Sequence, residues 1–240
     1  MQAVIYLEFV LADRKAKWEG FTNMGRAAQL FKSAPEIAFY RALGTGGGNG
    51  FSFWPDFSRY GFILTLHKGQ SPQAFIDSND LIRWYIHNSS SHFIALMNPL
   101  KAHGLWDGLK PFETDEPLLD NPQVAVLTRA KVRGLRLVEF WKNVPSVSRF
   151  MKGQKEAIYQ TGVGEYPLMM QATLSIWTSR SAMRDAAYKN NAHGRVVKLT
   201  HDRKWYSEEL FAEFEVQDIT AVGDRYAALI SPAQNQGSPN

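Results

Sequence analysis

The chain has 240 residues, 45% hydrophobic and 13% aromatic, enough apolar material for one large domain or two small ones. It contains no cysteine, which excludes disulfides, zinc–thiolate sites, iron–sulfur clusters, thiol nucleophiles and thiolate-ligated heme. The net charge of +4 is scattered, and the densest basic stretch, Arg195 to Lys204, has only Trp205 and Tyr206 as stacking aromatics, so no nucleic-acid partner is expected.

At the N-terminus Glu8 and Asp13 interrupt the apolar stretch and no basic start precedes it, so Ala3 to Val10 reads as a strand rather than a signal peptide. Asp13 can cap a helix running to about Lys32, Ile37 to Leu43 returns as a strand, and Tyr60 to His67 is the next. Ser71 with Pro72 starts a helix to about His87, and Phe93 to Met97 closes the sheet. This order is βαββαβ, a ferredoxin-like unit over residues 1–107. Residues 108–122, with Pro111, Pro117, Pro122 and four acidic residues, read as a linker.

The pattern then repeats over 123–228. Gln123 to Val132 is a strand, Leu135 to Met151 a helix, Ala157 to Thr161 and Met169 to Trp177 strands; Ser179 begins another helix, and a last strand falls within Phe211 to Asp218. Ala3-Val4-Ile5 matches Ala125-Val126-Leu127, and Gly44 to Gly46 matches Gly162 to Gly164. The expected fold is therefore α+β, two tandem ferredoxin-like units fused in one chain, with residues 229–240 a disordered tail. No window approaches the apolar length of a membrane-spanning helix, so a cytoplasmic protein is expected, with peripheral attraction to an anionic membrane surface left open.

The two copies differ in chemically capable residues. Met183, Ala186, Ala187, Asn190, His193, Val197 and Thr200 recur at helical steps, which places His193 on the inward face of the helix after Ser179. Gly194 beside it leaves room for a flat ligand such as an iron porphyrin; spacing alone favours the commoner alternative, a hydrogen-bonded core histidine. Gly44 to Gly50 lacks both a following Lys-Ser/Thr and the G-x-G-x-x-G register, so it is not a phosphate loop. Phe51, Phe53, Trp54 and Phe57 follow it and suit either a wall over an apolar substrate or an aromatic-anchored hairpin. Thr161 to Pro167 reads as a tight connection whose glycines take positive φ, and Glu165 within it is either a proton donor to the site or a solvated carboxylate. With no G-x-S-x-G elbow and no H-E-x-x-H pair, hydrolase and zincin chemistry lack an anchor.

Ala42 to Tyr60 (ALGTGGGNGFSFWPDFSRY), Val124 to Arg133 (VAVLTRAKVR), Phe140 to Pro145 (FWKNVP), Thr161 to Trp177 (TGVGEYPLMMQATLSIW) and Trp205 to Val216 (WYSEELFAEFEV) together resemble the spheroidene monooxygenase family of carotenoid ketolases. The resemblance covers the chain from about Val4 to Val216 and implies a heme-dependent enzyme that uses dioxygen and a reductase or ferredoxin donor to oxidise an allylic carbon of an apolar polyene. That family is similar in turn to the dimeric α+β barrel hemoproteins, which implies heme b on a histidine of the second helix, the place of His193. Gly194 and Val197 would then flank the group, with Arg195, Lys198, Arg203 or Lys204 facing its propionates. An interior apolar tunnel with an aromatic lid would suit the substrate. A dehydratase or heme-degrading enzyme of the same barrel type, and a heme- or lipid-binding module without turnover, remain as alternatives, as does a homodimer.

Overall fold

The computed structural model describes residues 1–47, 54–166, 169–188, 203 and 205–229. The first half contains β1 (Val4–Leu11), α1 (Arg14–Lys32), β2 (Ile37–Gly46), β3 (Pro55–Leu66), α2 (Pro72–Ser78), α3 (Asp80–His87) and β4 (Ser89–Gly104). The second contains β5 (Val124–Val132), α4 (Leu137–Lys152), β6 (Ala157–Tyr166), β7 (Met170–Trp177), α5 (Arg180–Tyr188) and β8 (Tyr206–Val222). Short 3-10 turns at Gly134–Arg136 and Asp224–Leu229 complete the described elements.

Local chemistry sets the element ends. Asp13 holds an extended conformation and its Oδ1 accepts from the Ala16 N–H at 2.8 Å, capping α1. Asn79 splits the expected single helix after Ser71 into two. Its backbone is extended, its N–H donates to Phe75 O, and its Oδ1 accepts from the Ile82 N–H at 3.1 Å, so it closes α2 and opens α3.

All pairings are antiparallel, and the strands close into a barrel in the order β1-β3-β2-β6-β7-β5-β8-β4. The halves contribute β4-β1-β3-β2 and β8-β5-β7-β6, related by a pseudo-twofold, and meet along two seams. One is long, from His92↔Val222 to Gly104↔Leu210. Among the described residues the other pairs Gly44 with Gly164 and Thr45 with Val163.

Other sequence expectations change as well. β4 and β8 extend well beyond Phe93–Met97 and Phe211–Asp218, because each satisfies the other's backbone along the long seam; Pro99, which cannot donate, sits at a register shift in that ladder. Gly162 and Gly164 lie within β6 rather than in a turn, and the positive-φ glycines are Gly69, Gly104, Gly108 and Gly223. Gly164 serves close approach instead, since a Cβ there would come 2.4 Å from Met170 O. The repeat is also one residue out of step: Ala125 and Leu127 face the barrel interior, whereas Ile5, the match proposed for Leu127, faces outward. A slip of one residue turns every side chain of a strand to the other face.

The barrel interior holds an apolar core rich in aromatic rings. Tyr6, Phe39, Phe93, Trp106, Phe112, Tyr159 and Phe214 belong to its core, drawn from both halves and from the 108–122 segment. Phe93 stacks on Tyr159 at 4.1 Å, and Phe112 meets Phe214 edge-on at 4.9 Å. Residues 230–240, expected as a tail, lie outside the described residues.

Candidate functional site

Strand register makes the two outward sheet faces directly comparable. In the first half, outward residues on β2, β3 and β1 form the rows Tyr40–Leu64–Ile5, Ala42–Phe62–Leu7 and Gly44–Tyr60–Phe9. The equivalent rows on β6, β7 and β5 are Gln160–Ser175–Val126, Gly162–Thr173–Thr128 and Gly164–Gln171–Ala130. Where the first half places Phe62 and Leu7, the second places two threonines.

Helix packing follows this difference. Phe62 is fully buried and touches Phe31 of α1 and Tyr85 of α3 at 5.3 and 5.1 Å. α1 comes down on β1, β2 and β3, aided by Gly20, where a Cβ would lie 2.2 Å from Leu11 Cδ1. Its counterpart α4 packs on no strand to a comparable extent among the described residues. It leans instead through Phe140 on Trp205 and Tyr206, at ring distances of 6.3 Å. Thr128, on a central strand, is exposed. The middle row of the second face, Gly162–Thr173–Thr128, is thus a flat floor of short side chains.

Charged groups occupy both ends of the barrel interior, and equivalent positions carry opposite signs. Glu8 and Arg129 follow Leu7 and Thr128, the paired residues of the rows above, and both are 1% exposed. Glu8 accepts from the hydroxyls of Tyr226 (2.6 Å), Thr161 (2.9 Å) and Tyr6 (3.1 Å), with Arg59 Nη1 3.7 Å away. Burial, reinforced by the Glu8 charge, pushes the Tyr6, Tyr159 and Tyr226 hydroxyls well above the ordinary phenol range. Tyr6 and Tyr226 thus donate to Glu8 as neutral phenols.

At the other end, Arg129 reaches Asp107 (3.0 Å) and Glu208, while Arg41 reaches Asp107 (3.0 Å) and Glu165 (3.2 Å). Trp106 Nε1 donates to Glu165, and both guanidinium groups lie over aromatic rings, Arg41 4.4 Å from the Phe39 centroid and Arg129 5.5 Å from that of Trp106. Asp107 and Gly108 form a two-residue turn, φ 50° and 76°, closed by Trp106 and Leu109 exchanging backbone hydrogen bonds. Burial pushes the Asp107 carboxyl upward, but the Arg41 hydrogen bond and the Arg129 charge outweigh it and hold the group below the usual range. Glu165 goes the other way, raised by burial despite Trp106 and Arg41.

The sequence-derived candidates therefore separate. Glu165 faces the barrel interior, on the side of β6 opposite the flat floor. Trp54 and Phe57 are exposed, and Phe57 meets Phe21 of α1 edge-on at 6.4 Å. His193, Gly194, Arg195, Val197 and Lys198, together with Phe51 and Phe53, lie outside the described residues. The Glu8 and Arg129 clusters went unread in the sequence. The Asp107-Gly108 dipeptide, a strong short-hairpin signal, was the one local clue to the second. No group of His, Asp and Glu capable of holding a metal ion occurs among the described residues, nor any helix long and apolar enough to cross a membrane.

No family model matches the chain. Three curated proteins named spheroidene monooxygenase do. Identity is 28% over 183 residues to the one from Cereibacter sphaeroides, covering 76% of this chain and 56% of that protein. To the Rhodobacter capsulatus protein it is 31% over 187 residues, 76% of each, and to that of Rubrivivax gelatinosus 33% over 194 residues, 80% of this chain and 74% of the relative. The chain thus spans just over half the length of the first relative and about three quarters of the other two. Among solved structures, an aldoxime dehydratase in complex with butyraldoxime superposes with TM-score 0.64 at 10% identity, over 93% of this chain and 83% of that one. A second aldoxime dehydratase gives 0.62 at 11%, over 90% and 82%. These structures establish the shared α+β barrel, and the sequence relationships establish the lineage: the chain belongs to the spheroidene monooxygenase family.

Proposed function

We propose that this protein is a heme-dependent monooxygenase that oxidises an apolar polyene at an allylic carbon. The observation that carries the reading is the flat floor of the second half, where Gly162, Thr173 and Thr128 stand in place of Ala42, Phe62 and Leu7. Short side chains along one plane fit a flat macrocycle, whereas the first face offers no such space. His193 would ligate the iron from the helix layer, Gly194 and Val197 would pack beside the ring, and Arg195 and Lys198 would meet its propionates. Heme b, when bound, supplies dioxygen activation with electrons from a reductase or ferredoxin.

The chain's own residues do the rest. Thr128 and Thr173 present hydroxyls, the only short-range donors on the middle row, toward whatever lies on the floor. The packed interior and its neutral tyrosines keep the barrel wall rigid behind it. Proton delivery is not assigned to Glu165, whose carboxylate holds Trp106 and Arg41 on the far side of β6.

Reconstitution with hemin provides the test. Native protein is expected to develop a Soret band that His193→Ala removes and Thr173→Phe, which fills the floor, abolishes. A band unchanged in both variants sinks the assignment. Product analysis with and without dioxygen separates oxygenation from dehydration, since turnover in strict anaerobiosis excludes the former.

A further inference from the structure

Exposed aromatic side chains gather at one place in the first half. Trp18 is 68% exposed, Phe21 51%, Phe57 62% and Trp54, three residues before Phe57, 75%. Trp18 and Phe21 lie one helical turn apart on α1 with ring centroids 6.3 Å apart, and Phe21 meets Phe57 at 6.4 Å. The helix needs none of them for packing, because its inward face already uses Ala16, Gly20, Ala27 and Phe31. Clustered exposed rings of this kind mark a surface that meets an apolar phase.

Charge identifies that phase. α1 carries Arg14, Lys15, Lys17, Arg26 and Lys32 against a single acidic residue, Glu19, itself 3.8 Å from Lys15. Two copies of the chain meeting through α1 would bring these cations together. An anionic bilayer would attract them while its interface accepts indole and phenyl rings. We infer that Trp18, Phe21 and Phe57, with the basic residues of α1, form a docking surface for an anionic phospholipid membrane. The inference deepens the proposed function: an apolar polyene dissolves in a bilayer, and the hairpin carrying Trp54 and Phe57 springs from β2, the strand that pairs with β6 of the flat face.

The test is sedimentation of the full chain with vesicles of phosphatidylcholine alone and of phosphatidylcholine mixed with phosphatidylglycerol. Binding is expected on the mixed vesicles and is weakened by salt. Arg14→Gln/Arg26→Gln should lower the partition coefficient about fivefold per charge removed. Trp18→Ser/Phe21→Ser/Phe57→Ser should lower it more than about tenfold. Leu118→Ser/Leu119→Ser removes an equally exposed apolar pair, 62% and 63%, and should leave binding unchanged. The surface is wrongly placed if the aromatic variant binds as native protein does, or if the leucine variant loses binding equally. A native dimer that the aromatic variant converts to monomer, without vesicle binding by either, replaces the membrane with a second copy. The charge variant, mutated only at exposed positions, keeps the test valid should the triple variant fold poorly. Native protein that binds vesicles yet shows no oxygen-dependent turnover in detergent sinks the proposed function and leaves the docking surface standing.

Discussion

The two outward faces of this barrel share a backbone plan and do opposite work. On the first, Leu7, Phe9, Phe62 and Leu64 are fully buried beneath α1, α2 and α3. On the second, the equivalent Thr128, Ala130, Thr173 and Ser175 are short, and Thr128 is exposed. On the proposed function, the duplicated scaffold concentrates stability in one copy and frees the other for a site.

The largest expected effect tests the packed side. Phe62→Ala should cost about 3–5 kcal/mol in urea denaturation, because the cavity would sit among Phe9, Phe31 and Tyr85. A loss as small as that of a surface residue would erase the contrast. Tyr226→Phe removes one donor to the buried Glu8 carboxylate and should cost about 1.5–3 kcal/mol by the same measurement. Thr173→Phe, in the position equivalent to Phe62, should change stability by less than about 1 kcal/mol because Thr173 is only partly buried.

Acid titration sharpens the comparison of the barrel ends. The Asp107 and Glu208 carboxyls are held below their usual values in the fold; for Glu208, burial opposes this, but the Gly108 and Asp107 N–H groups and Arg129 prevail. A depressed folded pKa gives stability that is present above the unfolded value, about 4 for these groups, and is lost as pH falls through the folded one. Native protein should therefore lose stability below about pH 4, and Arg129→Gln should flatten that slope. The effect is small because both carboxylates are partly solvated.

Much of this architecture was legible before any coordinates. Alternating runs such as Val4 to Leu11, the Asp13 cap and the Ser71-Pro72 start gave the element order, because short-range sterics and capping are written locally. Strand lengths were not, since β4 and β8 are long only because they meet each other across the halves. The site was harder still. Thr128 and Thr173 are ordinary strand residues until the register pairs them, and Glu8 and Arg129 look like surface charges until closure of the barrel puts them inside. Glu165 was picked out by its glycine neighbours, yet only side-chain geometry shows that it serves Trp106 and Arg41.

The unequal seams have a mechanical outcome. A cylinder zipped over a dozen rungs on one side and two on the other yields first at the weaker closure, and here that closure is Gly44-Thr45 against Val163-Gly164. Two glycines facing each other there bring no side chains to interlock. Amide protons of this short zipper should exchange with deuterium well before those between Ile94 and His103, so thermal breathing parts the wall beside the aromatic hairpin while the opposite wall stays shut.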